Sequence, residues 1–114
     1  MELQVVLQAV KDFFETEAPN KFADLDNDFS KSPEFSGFVG YKWRENGRWH
    51  YLVLSRHFRE LWCRNISVAH LAKELDSRNW LARRSTGKLL DTKSVNGQNK
   101  RGFVFLPDAW ANDD

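Results

Sequence analysis

The chain has 114 residues, 41% of them hydrophobic and 14% aromatic, which excludes intrinsic disorder and predicts one domain around one core. Seventeen Lys and Arg against sixteen Asp and Glu leave a formal charge of +1, unlike a strongly basic nucleic-acid binder. That sum conceals blocks: residues 1–35 carry three basic and eight acidic side chains, residues 36–102 fourteen and five, and residues 103–114 none and three. A basic centre between acidic ends points toward nucleic acid more than the total does, beside the plainer reading of a mixed solvated surface.

In chain order, Leu3, Val6, Leu7, Val10, Phe13 and Phe14 recur at the spacing of an amphipathic helix over about residues 1–18. Pro19 ends it. Residues 19–35 have no period and hold Asp24, Asp26, Asp28 and Pro33, so they read as an acidic surface connection. The period then becomes two. Phe38–Arg44 and Arg48–Leu54 form a predicted hairpin about Asn46-Gly47, a pair suited to a type I′ turn. That turn sets Arg44 opposite Trp49, Trp43 opposite His50 and Tyr41 opposite Leu52. Val39, Tyr41, Trp43, Leu52 and Leu54 then form a core face, and Lys42, Arg44, Trp49 and Tyr51 an outer one.

Ser55 is the expected cap of a short helix burying Phe58, Leu61 and Trp62, with Arg56, Arg59 and Arg64 outside. Asn65 or Ser67 caps the next, where Val68, Leu71, Ala72 and Leu75 make a clean apolar stripe. Its outer face shows His70, Lys73, Glu74, Ser77 and Arg78. Extended runs follow at Trp80–Arg84, Lys88–Lys93 and Arg101–Leu106, with turns at Thr86-Gly87 and Asn96-Gly97, a stop at Pro107 and a polar tail. Helix, hairpin, two short helices and a last hairpin is the element order of a winged helix-turn-helix. The expected fold is therefore α+β, a winged-helix-like single domain.

Most site chemistries fail on their own residue requirements. Asp24, Asp26 and Asp28 have the spacing of a calcium loop, but Phe29 and Phe35 stand where it needs glycine and glutamate. Cys63 lies beside Trp62 on an apolar helix and reads as a small hydrophobe rather than a nucleophile. As the only cysteine it forms no intrachain disulfide, which predicts a reducing compartment, the cytoplasm. No metal-ligand spacing, phosphate-binding glycine loop or apolar run of membrane-spanning length occurs, and the start Met1-Glu2-Leu3 reads as helix rather than as a leader. No catalytic residue, metal or cofactor is expected, and the chain is not read as an enzyme.

What remains is a basic surface with aromatics between the charges. Lys93, Lys100 and Arg101 stand at the tip of the last hairpin, with Arg83, Arg84 and Lys88 beside them. Lys73 and Arg78 belong to the second short helix, and Lys42 and Arg44 to the first hairpin, with Trp49 as a group on which a base can stack. Exposed strand lysines also suppress edge-to-edge association, which is the competing reading.

Several stretches carry a resemblance: Phe22-Ala23-Asp24-Leu25-Asp26, Gly37-Phe38-Val39-Gly40-Tyr41, Tyr51-Leu52-Val53-Leu54, Phe58-Arg59-Glu60-Leu61-Trp62-Cys63, Val68-Ala69-His70-Leu71, Trp80-Leu81-Ala82-Arg83 and Val95-Asn96-Gly97 through Arg101. Together they resemble the C-terminal module of helicase- and primase-like proteins of prophages, plasmids and integrating elements, which carry a domain of unknown function. They are also similar to the C-terminal domain of conjugative relaxase/helicase proteins. Asn79 departs from the glycine that family often has there, and its ATPase motifs are not in this chain. The resemblance implies a DNA-binding accessory module of a replication or transfer protein, acting on single- or double-stranded DNA. A docking or oligomerisation module, for instance against the ATPase core of a parent protein, is the alternative. No membrane partner is implied.

Overall fold

Helix α1, Glu2–Thr16, buries the stripe its periodicity predicts. Leu7, Val10 and Phe14 are buried, and Leu3, Val6 and Phe13 pack half-buried against the same cluster. The computed structural model describes residues 2–17, 21–25, 38–82, 91–95 and 97–106.

Among the described residues, a five-stranded mixed sheet with three helices makes the fold α+β. Its strands are β1 (Phe22–Asp24), β2 (Gly40–Glu45), β3 (Arg48–Leu54), β4 (Asp91–Val95) and β5 (Gln98–Phe105), ordered β1-β2-β3-β5-β4. β1 runs parallel to β2, and the other neighbours are antiparallel. β1 corrects the expectation of a bare connection across residues 19–35. Its three residues are too short for a legible period, and their partner Gly40–Lys42 lies far along the chain.

The β2–β3 register is the one the Asn46-Gly47 turn predicts. Asn46 has φ 56° and Gly47 φ 76°, the two positive values of a type I′ turn, and Trp43 pairs with His50 and Arg44 with Trp49. Two glycines allow strand backbones to approach closely. A β-carbon at Gly40 would collide with the Leu52 carbonyl oxygen, and one at Gly102 with the Val53 carbonyl oxygen. Only glycine fits beside β3 at either place.

Helices α2 (Ser55–Trp62) and α3 (Val68–Ser77) connect β3 to the last hairpin. Leu54, not Ser55, is the residue before the first turn of α2, and no side chain caps it. The Ser55 hydroxyl instead donates to the Arg101 carbonyl at 3.4 Å, tying α2 to β5. Ser67 does cap α3, accepting from the His70 amide at 3.0 Å. Phe58 and Trp62 are buried as expected, but Leu61 is 40% exposed because α1 leaves that flank of α2 uncovered.

The last hairpin is split in its pairing. Gly102–Phe105 bonds to β3, whereas Gln98–Arg101 pairs with β4 alone, so its tip projects past the end of β3. On the other edge of β5, Leu81 bridges Phe105 and the Ala82 amide donates to the Val104 carbonyl at 2.8 Å. The predicted turn at Thr86-Gly87, residues 88–90, the stop at Pro107 and the polar tail lie outside the described residues, as does most of the acidic connection.

Both sheet faces are apolar. One meets α1, α2 and α3 through Phe22, Val53, Phe103 and Phe105, with Phe58, Leu71 and Leu75 fully buried above it. Burying each such side chain contributes roughly 1.5–3 kcal/mol. The other gathers Tyr41, Trp43, Leu52, Leu54 and Val104. Val39, expected with Tyr41 and Trp43, belongs to the first cluster instead, since the chain changes face at Gly40. Among the described residues no helix is long and apolar enough to cross a membrane.

Candidate nucleic-acid interface

The strand period places Lys42, Arg44, Trp49 and Tyr51 on one side of the β2–β3 hairpin. Tyr51 is not the exposed group expected there. It is half-buried, edge-on to Phe14 at 5.3 Å and to Phe22 at 4.9 Å, because the end of α1 and strand β1 close over it. Trp49 lies 6.2 Å from Tyr51, one step further toward the turn and half-exposed. The Lys42 ammonium and the Arg44 guanidinium each lie 5.4 Å from its ring centre, within reach of the indole quadrupole. Arg44 also donates to the Gly47 carbonyl at 3.3 Å, so the turn helps to hold it. The result is an indole on a rigid hairpin, anchored by the core on one side and flanked by two cations.

On the opposite side, Trp43 is buried, stacks on His50 at 5.8 Å and donates to the Glu45 carboxylate at 3.2 Å. Lys93 reaches this group from β4, with its ammonium 4.4 Å from the Trp43 ring centre. Lys93 is thus half-buried rather than a free phosphate ligand at a hairpin tip. It is also directly opposite Lys100, and like charges so placed repel. The Trp43 face offers the Lys93 charge a favourable position. Lys100 is half-buried, and Arg101, opposite Thr92, is exposed.

On α3, Lys73 is exposed. Arg78 is not available in the way expected: it donates to the Glu74 carboxylate at 2.8 Å and to the Glu74 carbonyl at 3.1 Å. His70 sits 3.9 Å from the same carboxylate. Glu74 therefore answers the Arg78 charge at the end of this face. Arg83, Arg84 and Lys88 lie outside the described residues.

One cation escaped sequence reasoning. Lys11 belongs to the acidic first block, yet the fold lays its ammonium over the Trp80 ring at 5.5 Å. With Arg78, Gln4 and Gln8 it lines a cleft of about 270 Å³ between α1 and the end of α3. The spacing of Lys11 one turn from Leu7 hinted at an inward-leaning stem, but block counting hid it. Among the described residues no group of three or more His, Cys, Asp or Glu is placed to hold a metal ion.

The hairpin surface therefore joins a stackable ring to fixed positive charge, and Lys73, Lys100 and Arg101 add cations elsewhere. No protein-family model matches the chain, and no curated protein matches it in sequence.

Proposed function

We propose that this chain is a DNA-binding module of winged-helix-like build, acting in the cytoplasm as an accessory part of a mobile-element replication or transfer protein. Its task is binding rather than catalysis, with contacts made mainly to phosphates. The observation that carries this reading is the Lys42–Trp49–Arg44 cluster, in which two cations lie 5.4 Å from one half-exposed indole. Phosphates are attracted by such cations, and an indole beside them accepts an unpaired base. The connectivity supports the same reading. Strand β3, helices α2 and α3, strand β4 and strand β5 follow in that order, with β5 paired between β3 and β4. That order supports reading α2 and α3 as a helix-turn-helix and β4–β5 as its wing.

The reading is tested by fluorescence anisotropy with labelled single- and double-stranded DNA, comparing the chain with its Lys42→Glu/Arg44→Glu variant. Micromolar binding at low salt, weakened about tenfold or more by the double substitution, is the expected result. Equal binding by both proteins would move the contact away from the hairpin, and no binding by either would remove the reading.

A further inference from the structure

The cleft between α1 and the end of α3 joins two cations that lie far apart in the chain. Lys11 enters it from α1 and Arg78 from just past the last turn of α3, with Gln4, Leu7, Gln8 and Trp80 as the rest of the lining. Asn79 brings them together. It takes the left-handed φ of 62°, and the chain reverses in a Schellman turn. The Asn79 amide donates to the Asp76 carbonyl at 2.9 Å, and the Trp80 amide to the Leu75 carbonyl at 3.0 Å. That reversal lays the buried Trp80 ring beneath the Lys11 ammonium. It also occupies two carbonyls at the negative end of α3, which would otherwise oppose an anion.

The charge of the cleft is not answered from within. Among the described residues that line it, none is acidic. Glu74 holds Arg78 through Nη1 alone, with both its carboxylate and its carbonyl, which leaves the Nε–Nη2 edge for a ligand. The Lys11 ammonium is seated over an aromatic face, which leaves it N–H donors to offer. At about 270 Å³ the cleft is smaller than pockets that enclose a drug-sized ligand, so it suits one compact polar group.

We propose that this cleft binds the phosphoryl group of a phosphate monoester, carried by a free nucleoside 5′-monophosphate or by the 5′ end of a DNA strand. A monoester bears about −1.5 to −2 charges near pH 7 and three strong acceptor oxygens. Two cations and the Gln4 amide match that group. A backbone phosphodiester, with a single charge, matches it less well. The hairpin cluster plays no part, so the inference stands independently of the DNA-binding reading.

The test is isothermal titration calorimetry of the whole chain at low salt. Its probes are thymidine, thymidine 5′-monophosphate, and a short DNA strand with and without a 5′-phosphate. In at least one of the two pairs the phosphorylated member should bind about tenfold or more tightly than its unphosphorylated counterpart. A preference confined to the nucleotide assigns the cleft to free nucleotides, and one confined to the strand assigns it to strand ends. Lys11→Gln and, separately, Arg78→Gln should each cut the preference by about fivefold or more, with circular dichroism unchanged. Lys42→Glu/Arg44→Glu should leave it intact. Equal binding within both pairs overturns the proposal. So does a preference that survives both cleft substitutions, or one that the hairpin variant abolishes.

Discussion

Glu74 holds Arg78 at 2.8 Å, one turn apart on α3. The pair places a carboxylate in the middle of the helix face on which His70, Lys73 and Arg78 stand. The sequence already sets Glu74 among the basic residues of that face, and the structure adds that its carboxylate is paired with Arg78. A surface pair of this kind contributes only about 0.3–0.5 kcal/mol to stability. Its larger effect is on what the face can attract.

Glu74→Gln should therefore release Arg78, remove a negative charge and tighten DNA binding about threefold or more at low salt, with little change in thermal midpoint. Anisotropy and calorimetry on the same preparation check this. Unchanged or weaker binding would show that α3 faces away from the nucleic acid.

Trp49→Ala should weaken single-stranded DNA binding by about 1–3 kcal/mol, roughly 5- to 150-fold, and duplex binding much less, because stacking needs an unpaired base. Trp43→Ala is the contrasting variant. Trp43 is buried, so its removal should lower stability by about 3–5 kcal/mol, read by urea unfolding. Equal losses on both DNA forms for Trp49→Ala would make the indole a mere support for Lys42 and Arg44.

Substituting the glycines should separate close approach from turn strain. Gly40→Ala and Gly102→Ala drive a methyl group into strand carbonyls, which should cost at least about 2 kcal/mol each in urea unfolding. Gly47→Ala meets nothing within 4 Å and suffers only from its φ of 76°, about 1–2 kcal/mol. A reversed order would contradict the strand packing described here.

Burial pushes the Cys63 thiol above its ordinary value, against the opposing charge of Arg59. The neutral thiol is thus favoured in the folded protein. Its contribution to stability is complete below the unfolded thiol's pKa and is lost as pH rises through the higher folded value. Alkylation of the native chain near pH 8 should be slower than that of the unfolded chain, and its rate should climb further into the alkaline range. Native and unfolded rates that coincide across that range would contradict the shift.

Local patterns carried much of this fold in readable form. Asn46-Gly47 set the register of β2 on β3 residue by residue, and the stripes of α1 and α3 named their buried positions. Relations between distant segments were not readable. β1 has three residues and a parallel partner, so no period announces it. Tyr51 looked exposed by alternation, and only Phe14 and Phe22, arriving from other elements, bury it. Lys93 looked like a free hairpin-tip lysine until the sheet brought it onto Trp43, three strands away in the sheet order. The candidate site was legible in its residue types and illegible in its pairings, since Glu74, Trp43 and the Lys11–Trp80 contact decide which cations remain outward.

Phosphate-dominated DNA binding releases counterions, so a salt titration of affinity is its decisive measurement. Lys42, Arg44, Lys73, Lys100 and Arg101 are the candidate contacts that the described structure leaves in the proposal. With most of them engaged on duplex, log K against log salt should fall with a slope of about −3 to −5. Binding that is absent at 50 mM salt, or present with a slope near zero, would contradict the account.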